Sequence, residues 1–118
     1  MGKPAVVMFV GVEEFSTEDE SLLPSDVRKI FQERTGAITL GDIIFECIDD
    51  GCPDSADSGN FAGFGVVFYR AWWDSGIVDY HPVQIAQKAV AILAQVQSFF
   101  TLWDLDAKPR TLTCCVYR

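Results

Sequence analysis

Apolar and polar positions repeat with two different periods along this chain, and they predict strands and helices in turn. Residues 5–12, AVVMFVGV, are almost continuously apolar, which is typical of a strand buried on both faces and central in its sheet. The polar stretch 13–24 predicts a loop. A short helix is predicted over 25–35, because Ser25 can cap its start and Gly36 can end it.

Two further strands are predicted in the middle of the chain, over 41–49 and 65–73. The glycine-rich stretch between them, GNFAGFG, is interpreted as a mobile loop rather than a phosphate loop, because no Lys-Ser or Lys-Thr follows it. An antiparallel hairpin would place Glu46 opposite Arg70 as a favourable cross-strand pair. Alternation along the first of these strands puts Ile43, Phe45 and Cys47 on one face and Ile44, Glu46 and Ile48 on the other.

The clearest helical signal starts at Pro82, a residue suited to the first position of a helix. The predicted helix is about 20 residues long and carries one charge, Lys88. A helix packed on one side of a sheet normally has a charged outer face, so we expect another subunit to cover part of this one, with a homodimer favoured. The apolar stripe comprises Ile85, Ala89, Ile92, Val96, Phe99 and Trp103.

The chain ends in RTLTCCVYR, an alternating pattern that predicts a last strand with Leu112, Cys114 and Val116 turned inward. The element order is then strand, helix, strand, strand, helix, strand. We therefore expect one α+β domain over residues 1–118. Its predicted architecture is a four-stranded antiparallel sheet with two helices on one face, the ferredoxin-like βαββαβ order.

Charge narrows the possible partners. The net charge is −8 and the pI is about 4.4, which disfavours binding to nucleic acid or to an anionic membrane surface. A basic protein surface or a cationic ligand is favoured instead. The chain has no run of 18 apolar residues, and its first residues lack the features of a signal peptide, so we expect a cytoplasmic protein with no membrane span.

The predicted topology brings three loops to one end of the sheet: 13–24, 49–64 and 104–109. They hold five, four and two acidic residues, eleven of the 17 in the chain, against the single base Lys108. We call these three segments the acidic pole. Solvation alone would explain such a pole, but it also suits contact with a basic partner. The candidate contact residues are Glu18, Asp19, Asp50, Asp54 and Asp57.

The candidate metal and thiol chemistry is weak. Asp54 and Asp57 are three residues apart and no Glu closes their loop, so the pattern does not predict a calcium site. The cysteines, at C-x4-C and C-C spacing, are not a zinc set and are expected to be reduced thiols. No nucleophile motif accompanies His81. We predict no metal, no cofactor and no catalytic residues.

Two hypotheses of different class follow. The first is a small acidic, non-enzymatic interaction protein whose acidic pole binds a basic protein surface; its composition resembles that of phage-encoded or mobile-element inhibitors that imitate nucleic acid. The alternative is an oligomeric small-molecule-binding protein or enzyme with a pocket of aromatic and acidic side chains. The residues of that pocket would be Glu46, Trp72, Trp73, Tyr80 and His81.

Overall fold

In the part of the chain that the structure describes, the fold is α+β, with one five-stranded antiparallel sheet and two α-helices. The structure is a computed structural model that describes residues 4–13, 20–49, 61–72 and 81–117. The strands are β1 (Pro4–Val12), β2 (Ala37–Leu40), β3 (Ile43–Asp49), β4 (Phe61–Trp72) and β5 (Arg110–Tyr117). The helices are α1 (Ser25–Glu33) and α2 (Pro82–Leu102), with a 3-10 helix, Glu20–Leu22, before α1.

The strand order across the sheet is β2-β3-β4-β1-β5, and every neighbouring pair is antiparallel. The α+β class and the two helices are as predicted, but the sheet has five strands rather than four. Its order is not the simple ferredoxin-like one that the element sequence predicted. As expected, β1 lies inside the sheet, paired with β4 on one side and β5 on the other.

The additional strand, β2, forms a hairpin with β3 in which Leu40 pairs with Ile43. The two residues of the turn are Gly41 and Asp42, and Gly41 has φ 63°, a left-handed conformation that glycine adopts without strain. Sequence reasoning placed both turn residues inside the following strand. The sequence feature that could have revealed the hairpin is the Gly-Asp pair between two short apolar runs.

Strand β4 begins at Phe61, four residues before its predicted start. Part of the glycine-rich segment is therefore strand rather than mobile loop. Gly65 and Gly11 pair across β4 and β1, and a Cβ on Gly65 would overlap the Val10 carbonyl oxygen and lie 2.7 Å from the Gly11 Cα. The two backbones approach so closely that this position has no room for a side chain.

The main core lies between the helices and one face of the sheet. Phe45 on β3 is completely buried there and packs against Phe64, Phe99 and Trp103, with ring centroids 5.7, 5.4 and 5.2 Å away. Aromatic pairs at these separations add to the stabilisation from buried apolar area. All six residues of the predicted α2 stripe are buried or half-buried, and all but Ile85 belong to or pack against this core, so that prediction is confirmed.

A second, smaller cluster lies on the opposite face of the sheet. Its fully or nearly fully buried members are Ala5, Val7, Phe9 and Ile48. Leu112 and Cys114 of β5 pack against it and are half-buried. These two residues do turn inward as predicted, but they join the cluster on the face away from α1 and α2.

Both ends of α1 differ from the prediction. Pro24, not Ser25, is the N-cap of α1, and Ser25 is its first helical residue. Arg34, with φ 56°, ends α1 two residues before the predicted stop at Gly36.

Helix α2 is long and apolar enough to span a membrane. Its mean hydropathy over an 18-residue window is 1.2, and 17% of that window is buried in the protein. One such helix is weak evidence for a span, because core helices of soluble proteins, which are mostly buried, meet the same criterion of length and hydropathy.

Candidate interaction surface

One end of the sheet gathers the chain connections that carry most of the acidic residues. Gly11, near the end of β1, pairs with Gly65 on one side and with Arg110, the first residue of β5, on the other. Asp49, the last residue of β3, pairs with Phe61, the first of β4. The strand ends that flank 14–19, 50–60 and 103–109 therefore share one end of the sheet.

The acidic side chains that the structure describes at this end are exposed. Glu13 follows β1, and Asp104 and Asp106 lie between α2 and β5. Asp104 has φ 54°, so the turn after α2 holds a non-glycine residue in the left-handed region. The five residues chosen as partner contacts, Glu18, Asp19, Asp50, Asp54 and Asp57, lie outside the described residues, and their contact role stays a prediction.

Basic side chains are also present at this end, in addition to Lys108, the one base within the three acidic segments. Arg110 lies 3.7 Å from Glu13, and both side chains are more than 60% exposed. Such an exposed pair contributes little to stability. Arg28 donates to the carbonyl oxygens of Glu20 and Leu23 at 3.2 and 3.3 Å, which fastens α1 to the turn before it. Lys108 and Arg110 line the same groove as Glu13, so the described part of this end carries mixed charge.

A shallow groove of about 410 Å³ runs between the end of β1 and the segment before β5. Its lining combines one acid with two bases and two apolar residues: Val12, Glu13, Ala107, Lys108 and Arg110. A groove with this lining offers a charged partner both attraction and repulsion. A basic partner would therefore find one acid there, Glu13, next to Lys108 and Arg110.

The pocket of the alternative hypothesis is only partly described. Glu46 is paired in register with Gly65, whereas Trp72, seven residues further along β4, pairs with Ala5 at the opposite end of β1. At about 3.3 Å per residue the two positions are separated by roughly 20 Å along the strands. Trp73 and Tyr80 lie outside the described residues, so their part in a pocket stays a prediction.

Glu46 already has a cationic partner within the chain. The Arg70 guanidinium donates a hydrogen bond to the Glu46 carboxylate in an ion pair across β3 and β4. The Glu46 side chain is 19% exposed and that of Arg70 is 46% exposed. A cationic ligand that used Glu46 would have to compete with Arg70, which lowers its gain from that carboxylate.

His81, the last residue of the proposed pocket, is exposed at the start of α2. It is the N-cap residue, with φ −93° and ψ 106°, but its side chain makes no hydrogen bond to the first turn of α2, which is described throughout. The helix starts with Pro82 and has no acidic residue in its first turn. The positive end of the α2 dipole at His81 is therefore unmatched by any acid on that first turn.

Metal and thiol chemistry finds no support in the part of the chain that is described. No group of three His, Cys, Asp or Glu side chains there is arranged to hold a metal ion. Cys47 and Cys114 are half-buried and are not joined in a disulfide. They belong to different clusters, on opposite faces of the sheet. A half-buried thiol in apolar surroundings behaves mainly as a small hydrophobic side chain.

Sequence reasoning missed a groove of about 540 Å³ between α1 and β2, because it missed β2 itself. Acidic and basic side chains of α1, Asp26, Lys29 and Glu33, line one wall, and β2 forms the other. The groove is open, and its charges are of both signs. It does not favour one class of ligand.

Comparison of the chain with protein-family models, curated proteins and solved structures gives no match. The functional proposal therefore depends on charge, topology and surface chemistry alone.

Proposed function

We propose that this protein is a non-enzymatic interaction protein that binds a basic surface of another protein through its acidic pole. The observation that carries the proposal is that the strand ends next to residues 13–24, 49–64 and 104–109 lie at one shared end of the sheet. These three segments contain eleven of the 17 acidic residues. Like charges gathered on one surface repel one another, and a basic partner would relieve that repulsion.

The arrangement favours electrostatic steering over a deep binding pocket. The described acids of the pole with exposed side chains are Glu13, Glu20, Asp104 and Asp106, and Glu13 lines an open groove. Exposed charges of one sign accelerate encounter with an oppositely charged surface and make affinity depend on ionic strength. A surface that normally holds nucleic acid is the kind of basic partner that such a pole would compete for.

The first experiment is affinity capture from a lysate at low salt, with stepwise salt elution and identification of the eluted protein by mass spectrometry. The dissociation constant of the purified partner is then measured for the wild type and for the double substitution Asp54→Lys, Asp57→Lys. We expect reversal at the pole to weaken binding by roughly tenfold or more, because like charges brought together across an interface cost several kcal/mol.

A matched control changes the net charge by the same amount away from the pole. Glu33→Lys with Asp42→Lys serves this purpose, since both residues are exposed and Asp42 is in the turn at the opposite end of β3. We expect this control to change affinity much less than the pole variant, and increasing salt to weaken wild-type binding. Equal effects of the two double substitutions, or an affinity that is indifferent to salt, would contradict the proposal.

A further inference from the structure

The two edges of the sheet differ in how they are protected. β2, at one edge, has only four residues and ends at the Gly41 turn. β5, at the other edge, has eight residues and a continuous register with β1. Between Arg110 and the end of β5 there is no charge, proline or glycine. Natural proteins protect edge strands with such features or by brevity, because an exposed edge pairs with other strands.

The direction of the backbone groups along β5 follows from the close contact of β1 and β4. A Cβ built on Gly65 or Gly11 would overlap the carbonyl oxygens of Val10 and Phe64, so these oxygens lie between the two strands. In an antiparallel ladder the N–H and C=O of one residue point to the same side, and the side alternates from residue to residue. Even-numbered residues of β1 thus face β4, and odd-numbered ones such as Phe9 face β5.

This alternation determines which residues of β5 serve the outer edge. Leu112 pairs with Phe9 and Cys114 with Val7, so the backbone groups of Leu112 and Cys114 are used in the ladder with β1. Thr111 and Thr113 direct theirs outward. Among residues 4–13, 20–49, 61–72 and 81–117, β5 pairs with β1 alone, so these outward groups form an open row of donors and acceptors.

We propose that the outer edge of β5 pairs with β5 of a second copy of this chain, antiparallel about a two-fold axis. The two five-stranded sheets then become one continuous sheet. A two-fold contact of this kind is self-complementary and closes, so it uses the β5 edge of both copies and leaves only the short β2 edges at the ends of the joined sheet. It also supplies hydrogen-bond partners for the outward groups of Thr111 and Thr113.

The register of this pair is limited by the backbone alternation. A residue whose backbone groups point away from β1 must pair with another such residue, so the axis can pass through Thr113 or, one step along, through Cys114. In the register centred on Thr113, Arg110 of one copy is opposite Val116 of the other. We take this register because it sets Leu112 of each copy opposite Cys114 of the other, and both side chains are half-buried in the single chain.

The same register joins the apolar surfaces of the two copies. It places Leu112 of one chain opposite Cys114 of the other, on the face that carries the Ala5, Val7 and Phe9 cluster. Both residues are only half-buried in the single chain, and the pair would bury more of each. On the helix side, exposed Thr113 meets its own copy as a Thr–Thr pair, which is a favourable cross-strand combination.

The test is the mass of the purified full chain by sedimentation equilibrium over a wide concentration range, together with amide hydrogen exchange resolved by residue. We expect twice the monomer mass of 13.1 kDa. The amides of Thr111 and Thr113 should become protected as the concentration rises. Those of Leu112 and Cys114 should be protected at every concentration, because they pair with β1.

Three substitutions separate the edge from other surfaces. Thr113→Pro removes an outward N–H and spares the ladder with β1, so it should give a folded monomer with Leu112 and Cys114 still protected. Thr113→Lys brings like charges together at the axis and should also give a monomer. Val90→Glu alters the exposed face of α2, where Val90 is 69% exposed, and should leave the dimer mass unchanged.

A wild-type chain that stays monomeric at all concentrations would overturn the proposal. So would a dimer that survives both Thr113 substitutions or dissociates in Val90→Glu, the latter assigning the interface to α2. The dimer is independent of the acidic pole and responds to salt in the opposite sense. Each copy carries a net charge of −8, so screening should tighten the dimer while it weakens the binding of a basic partner.

Discussion

Arg70 reaches the Glu46 carboxylate although the backbone register pairs Glu46 with Gly65, five residues earlier on β4. A bulge makes this possible. Met8 pairs with Tyr69 and Phe9 with Val67, so β4 has one extra residue between them. Beyond the bulge Arg70 is opposite Val7, on the face without helices, which is also the face of Glu46. Strict alternation would have put Arg70 on the helix side.

The coupling between Arg70 and Glu46 should be measurable but modest. A double-mutant cycle with Glu46→Gln and Arg70→Met should give about 0.5–1 kcal/mol in the free energy of unfolding, read from urea denaturation, because the pair is partly exposed. The Glu13–Arg110 pair is the matched control: at 3.7 Å and more than 60% exposure its coupling should be near zero. Equal coupling in the two pairs would show that the geometry at Glu46 adds nothing.

Gly65→Ala should destabilise the fold by about 1–3 kcal/mol, because the new Cβ can be accommodated only if β1 and β4 separate. The measurement is the midpoint and slope of urea denaturation. Gly41→Asn is the control, since nothing lies within 4 Å of a Cβ there and asparagine tolerates its φ of 63°. A Gly65→Ala protein as stable as this control would contradict the close approach of the two strands.

His81→Asp should stabilise the protein by about 1 kcal/mol, since an aspartate at the N-cap can accept a hydrogen bond from the first turn of α2 and also faces the positive end of the helix dipole. The present histidine makes no such bond to that turn. Thermal and urea unfolding would measure the gain. His81→Ala serves as the reference, and an aspartate variant no more stable than alanine would refute the assignment of His81 as N-cap.

Local periodicity determined most of the helices and strands of this protein, with β2 as the exception. The continuous apolar run of β1 identified a strand paired on both sides, and the stripe from Ile85 to Trp103 identified the buried side of α2. The alternation of β3 assigned Phe45 and Ile48 to opposite faces, where each is fully buried. These features are encoded by residues close together in sequence, so their spacing alone reveals them.

Pairing between distant segments was decided only in the tertiary structure. The short strand β2 forms because residues 37–40 pair with the edge of β3. A pattern of four residues is too short to predict a strand from alternation alone. The ion pair of Glu46 and Arg70 was anticipated, but its register was wrong, since the bulge near Phe68 shifts every later residue of β4 to the other face. One added residue reverses the alternation, and only the partner strand determines where it is inserted.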